Sequence, residues 1–213
     1  MNDLRNDVVI NRSLLTNPAL DSSGIAVRGA VLHVFRESGD HDVTILRGDR
    51  VAARFTVTVQ PEGAPPQVSV DLAQLEAGGS GSYTVREGGV MSFAVGLGVG
   101  HYAVVIGHTG GGGSRTVLDS RGQLPAGDLF AVTLINPGTY RATNLASQAR
   151  LPITVAMPRR DEPYSPAQPT LVRAGDDGFD PAEAHILAGQ AIVLLAETPA
   201  RFLVEPVASP HTP

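Results

Sequence analysis

A chain of 213 residues with a net charge of −5 and pI near 5.6 lacks the basic face that a DNA- or RNA-binding surface needs to displace counterions. Zero cysteine excludes disulfides, thiolate metal ligands, iron–sulfur clusters and cysteine nucleophiles. With no tryptophan and only 5% aromatics, the 42% hydrophobic content builds its core from Val, Leu, Ile and Ala, and 24 glycines with 16 prolines fit many tight turns between short strands.

Residues 1–23 are polar and rich in Asn, Ser and Asp, with one short apolar piece at Val8-Val9-Ile10. This reads as an extended N-terminal arm and not as a signal peptide. No window approaches the roughly 18 consecutive apolar residues of a membrane span. The expectation is a soluble chain without a membrane span, cytoplasmic by default.

Residues 24–60 read as a β segment. Ile25 to Arg36 is strand-like around an interior Gly29, which marks a bulge or a close backbone approach. Two further strands, at Asp42-Val43-Thr44-Ile45-Leu46 and Val51 to Val59, flank Arg47-Gly48-Asp49-Arg50, a hairpin turn with glycine supplying positive φ. Pro61-Glu62-Gly63-Ala64-Pro65-Pro66 interrupts the pattern and opens the central unit, residues 62–157. Within it, residues 83–157 repeat alternating apolar positions bounded by glycine turns, the signature of short strands. Residues 158–169 form a charged, proline-rich linker. Residues 170–213 read as a C-terminal β segment and tail. A weak repeat superposes 85–95 on 186–196, with Gly88 on Gly189, and 43–55 is a third copy in pattern.

The order Tyr83-Thr84-Val85-Arg86-Glu87-Gly88, then Gly100-His101-Tyr102-Ala103-Val104-Val105, Phe130 to Leu134, Pro137-Gly138-Thr139-Tyr140 and Ile153-Thr154-Val155 resembles the cupredoxin family. The stretch from Gly178 to Gly189 is similar to that family's opening hairpin. The resemblance implies an all-β fold, a Greek-key cupredoxin-like β-sandwich over 62–157. A second β-sandwich unit is then expected from the flanking segments 24–60 and 170–206, paired with each other or exchanged between subunits. It also places His101 at the first copper-ligand position. The rest of the type-1 ligand set is missing, because residues 141–151 contain no Cys, His or Met. No cofactor is expected.

Other chemistry is sparse. His101 stands alone as a metal ligand or as a packed strand residue, and His108, seven positions on, would point to the opposite face. His33 and His41 flank a turn and read as scattered surface residues. Asp176, Asp177 and Asp180, with Glu183, cluster where a turn needs local hydrogen bonds and positive φ, and such a loop would supply some of the oxygens of a calcium site. The run from His108 to Arg115 has no Gly-Lys-Ser/Thr and reads as a loop. No serine sits in a Gly-x-Ser-x-Gly elbow. The sequence therefore leads to a non-catalytic structural or protein-interaction subunit of a larger assembly, with protein partners or self-assembly through strand edges and terminal arms. The alternative is a metal- or small-ligand-binding cupredoxin relative using His101.

Overall fold

The computed structural model describes residues 19–79, 81–98, 100–110, 113–158 and 168–207. The linker 158–169 and the tail thus lie mostly outside the described residues, as does the arm before residue 19. Among the described residues the protein is all-β apart from one short helix. The strands are β1 (Leu20–Asp21), β2 (Gly29–Val34), β3 (Gly39–Arg47), β4 (Arg50–Gln60) and β5 (Gln67–Asp71), followed by α1 (Leu72–Glu76). Next come β6 (Ser82–Arg86), β7 (Val90–Ala94), β8 (Tyr102–Gly110) and β9 (Gly113–Asp119). The chain continues through β10 (Leu129–Thr133), β11 (Gly138–Asn144), β12 (Arg150–Ala156), β13 (Thr170–Gly175) and β14 (Gly178–Asp180), then β15 (Ala184–Leu187), β16 (Ala191–Ala196) and β17 (Phe202–Pro206). No helix among the described residues is long and apolar enough to cross a membrane.

Period-two burial explains why these segments are strands. In β3 and β4 the inward positions are His41, Val43, Ile45, Phe55, Val57 and Val59, and in β16 they are Ile192, Leu194 and Ala196. The helix α1 is capped by Asp71, whose side chain accepts from the amides of Ala73 and Gln74, and it buries Leu72 and Leu75. Glu76 at its end takes the Tyr102 hydroxyl, Arg47 and Arg50, which fastens α1 to β3 and β8 and holds the Glu76 carboxyl below the usual carboxylate range.

Three sheets result among the described residues, in the orders β6-β4-β3-β8-β9, β14-β13-β16-β10-β2-β7-β5 and β1-β17-β11-β12-β15. The arrangement is doubled. In the first half β3 pairs antiparallel with β4 and β8, β4 runs parallel to β6, β5 parallel to β7, and β2 antiparallel to β7. In the second half β11 pairs antiparallel with β12 and β17, β12 runs parallel to β15, β13 parallel to β16, and β10 antiparallel to β16. The strands β2 to β8 thus correspond one for one to β10 to β13 and β15 to β17. The helix α1 and the strand β14 fill the same connection in the two halves.

The match extends to single hydrogen bonds outside the strands. Gly29 N donates to Ala26 O as Asp128 N does to Pro125 O. Ile25 and Tyr102 bridge as Leu124 and Ala200 do, and Gly88 N donates to Phe35 O as Gly189 N does to Leu134 O. Gly39 and Gly138, which open β3 and β11, both hold left-handed φ. The two halves meet where β2 and β10 pair antiparallel and fuse their inner sheets into one of seven strands. Val31 and Phe130 are counterparts, opposite Phe93 and Leu194 on the next strands, and they also face each other across this joint. A local two-fold therefore passes between them.

The pairing differs from the expected partition. The strands of 24–60 pair with those of 67–119, and the strands of 170–206 pair with those of 129–156, so the stretch 62–157 is divided between Asp119 and Leu129. Alternation fixes which face of a strand is buried but not which strand is its neighbour. The repeat at 85–95 and 186–196 is present, with Gly88 and Gly189 both at left-handed φ, although it is no hairpin, since β6 and β7 lie in different sheets. The third copy in pattern, 43–55, is a hairpin whose counterpart is β11–β12. The end of the N-terminal arm is tied down as β1: Arg201 binds Asp21 at 2.9 Å, and Phe202 exchanges bonds with Ser22.

Phe130→Ala removes the largest side chain at the joint, where it is fully buried. The expected loss is about 3–5 kcal/mol, read as a fall in the urea midpoint with both halves unfolding in one transition.

Candidate functional site

Beside the joint, His33, Arg36, Glu37, His41, Arg115 and Thr116 line a cleft of about 260 Å³, closed by Val34, Val117 and Pro125. A row of rings runs behind it. His33 meets Phe35 edge-on at 4.7 Å between centroids, Phe35 meets His41 edge-on at 5.0 Å, and His41 lies against His108 at 4.4 Å with a 34° tilt. The strands explain the row: His33 and Phe35 take inward positions in and just beyond β2, and His41 on β3 is directly opposite His108 on β8.

His33 and His41 are each held through one nitrogen. His33 Nδ1 is 2.7 Å from Asp128 Oδ2, and Asp128 Oδ1 accepts from Val34 N at 3.2 Å. Asp128 is completely buried and belongs to the second half, so this bond crosses the joint. Its backbone carbonyl accepts from Ala196 N, and Arg36 donates to Ala126 O at 2.8 Å. His41 Nε2 lies 3.0 Å from Glu37 O, and because a carbonyl only accepts, that nitrogen carries the proton. Tyr140, the counterpart of His41, makes the equivalent corner bond, its hydroxyl donating to Asn136 O at 2.9 Å. His108 Nε2 faces the Glu37 carboxylate at 3.6 Å, and Arg115 binds that carboxylate at 2.7 Å, holding it below its ordinary range.

Burial pushes the His41 imidazole below the usual histidine range, against the opposing pull of its bond to Glu37 O, and His108 and His33 add to the depression. The ring is 2% exposed. The arrangement offers hydrogen-bond acceptors and a polar cleft wall. Nothing in it combines an activated nucleophile with a base.

The residues singled out in the sequence lie elsewhere. His101 is exposed, has φ of 73° and precedes β8, so it is not a packed strand residue; its backbone N donates to Ile25 O. The adjoining Gly100 sits so close to Ala26 that an added Cβ would strike that residue's backbone, and this close approach sets the turn that carries His101 outward. Asp176 and Asp177 on the β13–β14 turn and Asp180 at the end of β14 are exposed, lining an open depression with Arg173 and Glu197. Among the described residues no group of three or more His, Cys, Asp or Glu side chains is gathered for a metal ion. His33 and His41 are 3% and 2% exposed, which corrects their reading as surface histidines. The available signal was phase: His33 falls in step with Val31 and Phe35, and His41 with Val43 and Ile45.

No family model, curated protein or solved structure matches this chain.

Two outcomes follow from the geometry. Asp128→Ala strips a fully buried carboxylate from His33 and Val34 and is expected to cost about 3–5 kcal/mol, whereas Asp128→Asn, which keeps the shape, costs less; chemical denaturation measures both. The depressed His41 pKa sets the sign with pH. Its neutral form is favoured by folding, so the stabilisation is present above the unfolded value near 6.5 and is lost as pH falls below it. Melting temperature is expected to drop between pH 7.5 and 5, and to drop less in His41→Gln.

Proposed function

We propose that this protein is a non-catalytic structural or protein-interaction module that associates through its sheet edges. The supporting observation is the number of sheet ends in the doubled fold. The outer strands are β5 and β14 on the fused sheet, β6 and β9 on the second sheet, and β1 and β15 on the third. Edge strands carry unpaired backbone groups that must be covered or used in pairing. At the β15 end, Leu187 is 36% exposed and Met157, which follows its partner Ala156 on β12, is 66% exposed. This end sets apolar surface on a sheet edge, where Gln190 takes the Leu187 amide and carbonyl, and exposed apolar surface favours a protein neighbour. Within the same reading each half is a two-sheet Greek-key sandwich of the cupredoxin kind, supported by the facing sheets and by the corner bonds at His41 and Tyr140.

The alternative reading, metal or small-ligand binding at His101, gains only from that residue's exposure, and the carboxylates at Asp176, Asp177 and Asp180 gain only from theirs.

Light scattering over a concentration series tests the association. The wild type is expected to self-associate or to hold a protein partner from its native extract. Met157→Lys combined with Leu187→Lys is expected to weaken that association by about tenfold or more. A monomer at every concentration with no partner captured would sink the reading.

A further inference from the structure

The cleft beside the joint is walled by polar residues that the doubled fold does without. His33 corresponds by strand register to Val132, and Asp128 to Gly29. Arg36 corresponds to Ile135 and Glu37 to Asn136, since they follow Phe35 and Leu134 and precede the two corner bonds. Arg115 and Thr116 stand on β9, whose place beside β17 is taken in the second half by β1. The scaffold is therefore complete without this wall.

The costliest departure is Asp128. A fully buried carboxylate needs its oxygens occupied, and here they hold the Val34 amide and His33 Nδ1. With the carboxylate accepting both bonds, Nδ1 carries a proton and the opposite side of the ring is left to Nε2. That nitrogen makes no hydrogen bond among the described residues, and it is not buried as the unpaired Nδ1 atoms of His41 and His108 are. It is thus the point at which a ring only 3% exposed meets the cleft that it lines. Arg36 is held in place as well. It donates to Ala126 O and lies 3.9 Å from Asp128 Oδ1, and Gly127 leaves room for it, because an added Cβ there would strike the guanidinium. Arg115 pairs with Glu37 at 2.7 Å. Each guanidinium carries more N–H donors than these bonds use, while its charge is already balanced by a carboxylate.

We propose that this cleft binds a neutral polyhydroxylated ligand, a single sugar unit presenting vicinal hydroxyls. A hydroxyl suits His33 Nε2 in either protonation state of the ring, donating to its lone pair or accepting from its N–H. The remaining sugar oxygens accept from Arg36 and Arg115, and Glu37 takes a hydroxyl proton. Val34, Val117 and Pro125 supply apolar surface for the C–H face of the ring. The volume of about 260 Å³ lies below the roughly 300–1,000 Å³ of clefts that take drug-sized ligands, which limits the occupant to one such unit. An oxyanion fits less well, because it would meet Glu37 and Asp128 where they already pair the two guanidiniums.

Chemical-shift titration of the isotope-labelled full chain with D-glucose, D-galactose, D-mannose and N-acetyl-D-glucosamine tests the site. At least one sugar is expected to give saturable shifts at the amides of Val34, Arg36 and Thr116. His33→Asn keeps a donor where Nδ1 meets Asp128 and removes Nε2, and it is expected to weaken binding about fivefold or more. Arg115→Gln, at a side chain 63% exposed, is expected to stay folded and to weaken binding by a similar factor, and it carries the test if His33→Asn fails to fold. His101→Gln is expected to leave binding within about twofold of wild type. Absence of saturable shifts with every sugar would overturn the proposal, as would inorganic phosphate saturating the same amides in place of the sugars. Sugar binding that survives intact in Arg115→Gln, or is lost in His101→Gln, would overturn it too.

Discussion

The antiparallel pairing of β2 with β10 is the contact on which the rest of the architecture depends. Without it the inner sheet of each half would end in an exposed strand, β2 in one and β10 in the other, each with a row of unpaired amides and carbonyls. Joined, they form the centre of a seven-stranded sheet and place Val31 against Phe130 in a fully buried position. Thr133 N reaching Arg28 O extends the joint beyond the ladder. The local two-fold makes each half cover the other's edge with the same strand, in the manner of an isologous dimer interface held within one chain.

Asp128 makes that joint more than a strand pairing. A fully buried carboxylate is costly unless its oxygens are occupied, and here His33 and the Val34 amide occupy them from the opposite half. Its counterpart in the first half is Gly29, which has no side chain to offer. The two halves therefore share a scaffold but not a polar interior, and the cleft lies on the side where the carboxylate crosses.

Much of the strand content was legible, because apolar residues at every second position leave little choice of face. The neighbours were not legible, since period-two alternation is compatible with any partner of similar length. The duplication was visible only over 85–95 and 186–196. Elsewhere the spacing between counterparts drifts: Val31 answers to Phe130, Val57 to Ile153 and Ile106 to Val204. Each turn of different length shifts the register, so no single offset aligns the halves, and hydrophobic identity alone is too permissive to mark the rest. The candidate site suffered in a different way. His33, His41 and His108 all fall in the inward phase of their strands, yet a histidine within an apolar pattern is equally an edge residue or a loop flank until the partner strand is known.

The divergence between the halves also separates what the fold needs from what it carries. The corner after Gly39 and the corner after Gly138 need a side chain that reaches back four residues to a carbonyl, and either an imidazole or a phenol does so. A phenol completes its hydrogen bonding there with one hydroxyl and leaves only apolar ring edge inside. An imidazole satisfies the same carbonyl and leaves a second nitrogen in the core. Choosing His41 at a position where tyrosine serves its counterpart brings in a polar atom that the corner does not use, and placing His108 opposite it brings in another. The excess polarity is confined to one half, and it adjoins the cleft beside the joint.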